Sequence, residues 1–412
     1  MIKILHTADV HLDSPLKSLA LRDENLKNIV QTATRTAFSR LIDFGLAEGI
    51  SAILIAGDLF DGVERSAKTA AFLTGQLDRL KQADIAVFYI KGNHDAENPL
   101  TGEVSLPDNV HVFDGRGGRH QLGATNIWVH GVSFSGRQAP DSLLPKFGSP
   151  EPDSINIAML HTSLAGSHGH DSYAPCSVAE MSSMGFDYWA LGHVHKRQVH
   201  SDAPWIVMPG IPQGRDIGEA GPKSATLLTI EDKTISISEV PTSVADFLGL
   251  EIDIGDCRTD DEVRSHVRRQ LQEAAEDLAA DVGLVRLTVA GRTDLKWQVL
   301  RDQDAWIEVI SEIARSTDRL WIEKIKFDFS GEADSTDNRS AVGELETLMA
   351  EIREEPAIVA TMRDLLENLA NEIPTARRAR LLPDEKAVEQ LVRSLSEVGA
   401  ESILAAMKGA SE

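Results

Sequence analysis

Ala52-Ile53-Leu54-Ile55-Ala56-Gly57-Asp58-Leu59-Phe60-Asp61 decides how the rest of the chain is read. Five apolar residues in a row make a buried strand, because a half-exposed strand would alternate polar and apolar positions. A glycine then turns the chain, and two carboxylates follow that are expensive to bury without a partner. A strand that runs straight into acids fits an open α/β sheet, whose sites lie beyond the carboxyl ends of its strands. The same grammar occurs on either side. Ile2–Leu5 leads to Asp9-Val10-His11, and Ala86–Ile90 leads to Lys91-Gly92-Asn93-His94-Asp95.

Between these three strands lie two helical patterns. One covers about 23–47, with Leu26, Ile29, Val30, Ala33, Ala37, Leu41 and Phe44 at helical spacing. The other covers about 66–82, through Ala70, Leu73, Leu77 and Leu80. Strand–helix–strand–helix–strand predicts parallel neighbours joined by right-handed crossovers. Further strands are expected at Ile127–Val132, Ile155–Leu160, Tyr188–Leu191 and Trp205–Met208, as a meander or a second sheet. A hairpin, Ala225–Ile230 and Ile235–Val240, closes a first domain at 1–240. After Pro241 the pattern restarts as a small α/β unit, 245–330. It has strands at 248–254, 284–289 and 320–329 and helices at 260–280 and about 300–315. The polar stretch 330–338 reads as a linker. Residues 340–412 are helical, with Leu345, Leu348 and Ile352 on one apolar face and Met362, Leu365, Leu366 and Leu369 on another.

Chemistry concentrates where strands end. Besides Asp9, His11, Asp58 and Asn93, His161 ends one strand, and Gly192-His193-Val194-His195 follows another. Carboxylate, carboxamide and imidazole together suit borderline divalent ions such as manganese, iron or zinc. Seven ligands are too many for one ion and suit two with a shared bridge. One ion would take Asp9, His11 and His195, the other Asn93, His161 and His193, with Asp58 between them. Such a pair clamps a phosphoryl centre and activates water, so phosphoester hydrolysis is the expected reaction. Each motif alone is commonly just a turn; their joint occurrence, in order and each at a strand end, points to a site. Arg215, after Gln213-Gly214, is a candidate phosphate contact. His170, in the Gly/Ser-rich loop after His161, is a candidate substrate contact.

These residues resemble the calcineurin-like metallophosphoesterases: Asp9-x-His11, Gly57-Asp58-x-x-Asp61, Gly92-Asn93-His94-Asp95, His161 and Gly192-His193-x-His195. Within that superfamily, Ile4-Leu5-His6-Thr7-Ala8-Asp9-Val10-His11 resembles the DNA-repair exonuclease branch, the SbcD and Mre-type nucleases. Leu160-His161-Thr162-Ser163, Asp187-Tyr188-Trp189-Ala190-Leu191-Gly192-His193 and Gln213-Gly214-Arg215 are similar to the YhaO-like subgroup. The resemblance implies a two-layer β-sandwich flanked by helices, with a small α/β capping domain and a C-terminal helical segment. It implies two manganese ions and docking of the tail on an SbcC-type (SMC-type) ATPase. It gives His94 a catalytic role, stabilising the transition state or protonating the departing oxygen, with Asp61 orienting its imidazole. Related nucleases act as homodimers, for which an apolar face of either early helix would serve. Asp95 reads as a partner for turn amides.

Composition limits the alternatives. The 412 residues carry 41 basic and 64 acidic side chains, a net charge of −23. No segment is basic: residues 1–240 hold 20 Lys/Arg against 28 Asp/Glu, residues 241–330 hold 12 against 19, and residues 331–412 hold 9 against 17. Tight duplex binding by the chain alone is disfavoured, since phosphate contacts dominate such affinity. Two cysteines exclude a disulfide framework or a four-sulfur zinc site. No run reaches the length of a membrane span, and the start lacks a signal-peptide core, so a cytoplasmic protein is expected. The leading expectation is a metal-dependent phosphodiesterase that cuts DNA as an exonuclease or endonuclease in repair. A phosphomonoesterase or nucleotide hydrolase on the same ions is the second, and a non-catalytic scaffold for the ATPase the third. Gly62-Val63 after Asp61 departs from the protein-phosphatase pattern.

Overall fold

The apolar run at 52–56 forms strand β2 (Ala52–Ala56), every residue buried. It lies between β1 (Ile2–Thr7) and β3 (Ala86–Ile90) and is parallel to both. The crossovers are α1 (Glu24–Glu48) and α2 (Ala67–Gln82). Alternation along β2 sorts its side chains between two cores. Ile53 and Ile55 join Phe38, Leu41, Leu73 and Leu77 under the helices, while Ala52, Leu54 and Ala56 face Met159, Tyr188 and Ala190 of a second sheet.

The computed structural model describes residues 1–16, 24–61, 66–96, 105–164, 173–329 and 341–408. In the first sheet, β4 (Val110–Val112) extends β3 in parallel. The hairpin β11 (Ser224–Glu231) and β12 (Thr234–Pro241) pairs antiparallel with β1, giving the order β12-β11-β1-β2-β3-β4. Its two-residue turn, Asp232 and Lys233, has positive φ at both positions, as tight hairpins require. The second sheet contains β5 (Gly118–Gln121), β6 (Ile127–Val132), β7 (Ile155–His161), β8 (Tyr188–Gly192), β9 (Gln198–Asp202) and β10 (Trp205–Met208). Its order is β5-β6-β7-β8-β10-β9. Strands β6, β7, β8 and β10 are parallel, so of the two expectations the second sheet holds and the meander does not. The fold is a two-layer sandwich flanked by helices, with helices at the C-terminal end.

The chain divides into two compact units. The first is Met1–Gly249 with Ala275–Arg286 and Arg319–Glu323; the second is Leu250–Ala274, Leu287–Asp318 and Lys324–Glu412. After the sandwich come β13 (Ala245–Asp253), β14 (Val282–Ala290) and β15 (Leu320–Asp328), one three-stranded sheet in that order. The helix expected at about 300–315 is two helices that break at Asp302, Lys296–Arg301 and Gln303–Arg315. The tail forms helices at Ala341–Arg353, Pro356–Asn371, Thr375–Leu381 and Glu385–Lys408. The 330–338 stretch lies outside the described residues.

Leu54 is fully buried in the sandwich interior. Leu54→Ala should cost about 2–5 kcal/mol, from lost transfer energy and the cavity left behind. Urea unfolding would show it as a lower midpoint with an unchanged slope; an unchanged midpoint would contradict the inter-sheet packing described.

Candidate metal centre

Because β1, β2 and β3 run parallel in one sheet and β7 and β8 in the other, their carboxyl ends meet at one rim of the sandwich. Two loops after β1 and β2 zip together there. Asp9 N donates to Gly57 O at 2.9 Å, His11 N to Asp58 O at 3.0 Å, and Leu12 N to Leu59 O at 3.0 Å. The geometry is strained. Asp9, His11, Asp58 and His193 all hold positive φ, of 53°, 44°, 51° and 99°, a region non-glycine residues seldom enter. Gly57 and Gly92 are required by space. A Cβ on Gly57 would strike the His161 ring, and one on Gly92 would strike the Asp58 carboxylate.

The rim gathers acceptors. Asp9, His11 and His195 bring one ligand atom each within 4.8 Å of one another, as do Asp9, Asp58 and His161, and also His11, Asp58 and His94. His161 Nδ1 donates to Ala56 O at 2.9 Å, which turns Nε2 toward the site. That nitrogen faces Asn93 Oδ1 at 3.1 Å and Asp58 Oδ2 at 3.5 Å. On the other side, His195 Nε2 lies 3.3 Å from His11 Nε2 and 3.9 Å from Asp9 Oδ1. Asp58 Oδ2 is 4.0 Å from His11 Nε2, so this carboxylate touches both groups. Asp9 Oδ1 and His11 Nδ1 are buried with no hydrogen-bond partner among the described residues. Buried lone pairs that face one another repel unless a cation or a proton lies between them, and this donor set fits two divalent ions.

The titration of the cluster tells the same story. Burial works against charging His161, yet the Asp58 and Asp9 carboxylates raise its pKa to about 9. Burial also opposes ionisation of Asp58, but His161, His11 and His94 hold it well below the usual carboxylate range. A proton therefore occupies, in the protein alone, a position that a cation would claim.

Of the predicted ligands, His193 is placed differently from the rest. Its backbone N–H donates to Asp9 Oδ2 at 2.8 Å, and its ring packs edge-on to His161 with centroids 5.1 Å apart. His94 donates its backbone N–H to Asp58 Oδ1 at 2.9 Å, and its Nδ1 is 3.5 Å from Asp61 Oδ1. Asp61 Oδ1 is also 3.6 Å from His11 Nδ1. Asp95 accepts from the N–H groups of Leu59, Phe60 and Gly92 at 3.0–3.2 Å, as expected of a partner for turn amides. Arg215 pairs with Glu219 at 3.0 Å. His170 lies outside the described residues. His6 is a core residue, accepting from Tyr188 Oη at 2.9 Å on Nδ1 and donating from Nε2 to Leu191 O at 3.0 Å. Burial lowers its pKa to about 3, which keeps it neutral. The residue that the sequence reading missed is Glu219, whose Oε1 sits 2.5 Å from His195 Nδ1. Only its place four residues after Arg215 hinted at it.

Residues 2–197 match the calcineurin-like phosphoesterase family, and residues 247–330 match the metallophosphoesterase YhaO middle domain. The chain is 35% identical over 240 residues to the protein of Bacillus subtilis named uncharacterized metallophosphoesterase YhaO, covering 57% of this chain and 59% of that one. It is 24% identical over 321 residues to the DNA double-strand break repair protein Mre11 of Sulfolobus acidocaldarius, covering 73% and 78%. A crystal structure of a dimetal phosphatase from Danio rerio aligns with 58% of this chain and 96% of its own, at 11% identity and a TM-score of 0.38. The chain thus spans about three-fifths of the length of its YhaO relative.

If His161 Nε2 is a cation ligand, binding must expel the proton it holds at neutral pH. Manganese titrated calorimetrically at pH 7 in buffers of different ionisation enthalpy should release about one proton per chain from this group. The release should fade above the His161 pKa of about 9. Binding heats independent of the buffer would remove His161 from the ligand set.

Proposed function

From the match of residues 2–197 to the calcineurin-like phosphoesterase family and of residues 247–330 to the YhaO middle domain, we propose that this chain hydrolyses phosphodiester bonds in DNA at the rim site. The observation that carries this reading is the pair of acceptor groups joined by Asp58, with the His94 imidazole beside them. In it, Asp9, His11 and His195 would hold one divalent ion and Asn93, His161 and His193 the other, with Asp58 within reach of both; manganese is the ion we expect. When bound, the two ions supply Lewis acidity at phosphorus and an activated water. The chain's own residues do the rest.

His94 is about a third exposed, whereas Asp9, His11, Asp58, Asn93 and His161 are buried, so it can meet a substrate oxygen. Asp61, 3.5 Å from its Nδ1, orients the ring; in the imidazolium form Nδ1–H would point at Asp61 and Nε2–H would donate its proton to the departing oxygen, leaving a neutral ring. The distance is long for a hydrogen bond, as such contacts often are before substrate binds. The DNA assignment draws on the names of the Mre11 relatives. The net charge of −23 opposes unaided DNA binding, so a partner must share the phosphates. We assign nuclease chemistry to 1–240, capping to 245–330, and docking of an SbcC-like ATPase to 340–412, in the cytoplasm. Exposed Leu365, Leu369, Leu395 and Val398 on the tail helices support the docking assignment. No helix among the described residues is long and apolar enough to cross a membrane. The acidic balance favours, as a second reading, a small phosphoester such as a nucleotide.

With manganese, the protein should cleave bis-p-nitrophenyl phosphate and DNA in preference to p-nitrophenyl phosphate. A preference for the monoester would overturn the diesterase reading in favour of the second. His94→Gln should reduce diester turnover by roughly 100-fold or more while elemental analysis still finds two ions per chain. Loss of an ion with the side chain would make His94 a ligand instead.

A further inference from the structure

We propose that Glu219 is a positioning residue for His195: its carboxylate keeps the proton on Nδ1 and so leaves Nε2 bare toward Asp9 and His11. This rests on the two-ion reading of the rim. A neutral imidazole has two tautomers, and only the one protonated at Nδ1 presents a lone pair at Nε2. For His161 the choice is made by a backbone carbonyl, Ala56 O, on a fully buried ring. His195 has no such carbonyl among its described contacts. It lies on the turn after β8 with a quarter of its side chain exposed, and two groups meet its Nδ1: the acceptor Glu219 Oε1 at 2.5 Å and the donor Arg215 Nη2 at 3.1 Å. The shorter contact to the carboxylate sets the proton on Nδ1, while Arg215 Nη2 donates to Glu219 Oε1 at 3.0 Å. A carboxylate behind a ligating imidazole fixes its tautomer and orientation and raises its basicity.

Glu219 is itself held. Its Oε2 accepts the Arg215 backbone N–H at 2.7 Å, and its Oε1 accepts from the Arg215 guanidinium at 3.0 Å. Asp216 opens the short helical turn that carries Glu219, accepting from Gly218 N at 2.9 Å through its side chain and from Glu219 N at 2.9 Å through its carbonyl. The segment is then stitched to the start of β13. Gln213, fully buried, accepts from Val244 N at 2.8 Å and Ala245 N at 3.2 Å and donates to Ala245 O at 2.6 Å. Pro212 O accepts from the Thr242 hydroxyl at 2.7 Å, and Gly221 N donates to Phe247 O at 2.9 Å. Arg215 is thereby part of the mount for a ligand, which gives it a role other than the phosphate contact that its sequence suggests. All of these residues belong to the first compact unit.

Two readouts test this. Long-range proton–nitrogen NMR on histidine-labelled protein, in chelator near pH 9 where an ordinary imidazole is neutral, reports the tautomer without any ion. The native chain should show His195 protonated at Nδ1, and Glu219→Ala should show a mixture. Manganese titration followed by electron paramagnetic resonance should find one of two sites weakened by roughly 10–100-fold in Glu219→Ala, with the other unchanged. Glu219→Gln, which keeps an acceptor oxygen, should recover most of the tautomer preference and part of the affinity. If Glu219→Ala does not fold, Glu219→Gln carries both readouts with a loss near tenfold. An unchanged tautomer together with unchanged affinities overturns the proposal. Should the native chain bind fewer than two ions, the two-ion reading fails, while the tautomer measurement still decides what Glu219 does.

Discussion

The site is organised around lone pairs that point at one another. His161 Nε2, Asn93 Oδ1 and Asp58 Oδ2 meet on one side, and His11 Nε2, His195 Nε2 and Asp9 Oδ1 on the other. Away from water such acceptors repel strongly, and each buried polar atom without a donor costs about 1–3 kcal/mol. Positive charge between them reverses the sign. Metal affinity and local instability are therefore one property seen from two sides, and the rest of the fold has to hold the ligands in place until a cation arrives.

Two carboxylates do that holding. The backbone of four site residues is forced into the left-handed region, at a cost of about 1–3 kcal/mol each, which persists only where the surroundings over-determine it. Asp95 supplies one such restraint, gathering the amides of Leu59, Phe60 and Gly92 and so fixing the loops after β2 and β3 to each other. Asp13 supplies another: Arg35 of α1 pairs with it at 2.5 Å, and Thr69 of α2 donates its hydroxyl to it. The loop that carries Asp9 and His11 is thus pinned to both crossover helices. Neither carboxylate is itself read as a ligand; each stiffens the backbone from which ligands hang.

What was legible in the sequence was local. A buried strand is an apolar run, and Ala52–Ala56, Ala86–Ile90 and Ile127–Val132 begin and end where their residues say they should. Ligand-type residues after those runs are equally visible, because polar groups have few other reasons to follow a buried strand. The edge strands of the second sheet were not legible: Gly118–Gln121 and Gln198–Asp202 are almost wholly polar, and pairing alone makes them strands. The parallel second sheet was hidden because the stretch between β6 and β7 has no helical period to announce a crossover. Glu219 escaped for a different reason. Its partner is 24 residues away on another element, and no spacing rule connects a ligand to the carboxylate behind it. His193 adds a contact that its motif does not announce, since its backbone N–H donates to Asp9 and ties the loop after β8 to the one after β1.

The charge of the chain bears on how such a site would meet a polyanion. Its negative charge is spread over every segment, so no stretch of the chain offers a duplex a net positive footprint. Screening limits that repulsion to about 8–10 Å at ordinary ionic strength, whereas two divalent ions, if held at the rim, would act at contact distance on a single phosphate. A nuclease reading therefore separates chemistry from grip. This chain would supply the attack on a single phosphodiester, and the holding of the polymer would fall to a surface it does not own. Apolar side chains left exposed along the tail helices are where that surface would attach. A small phosphoester would need no such help, which is why the choice between polymer and nucleotide turns on the partner as much as on the metal site.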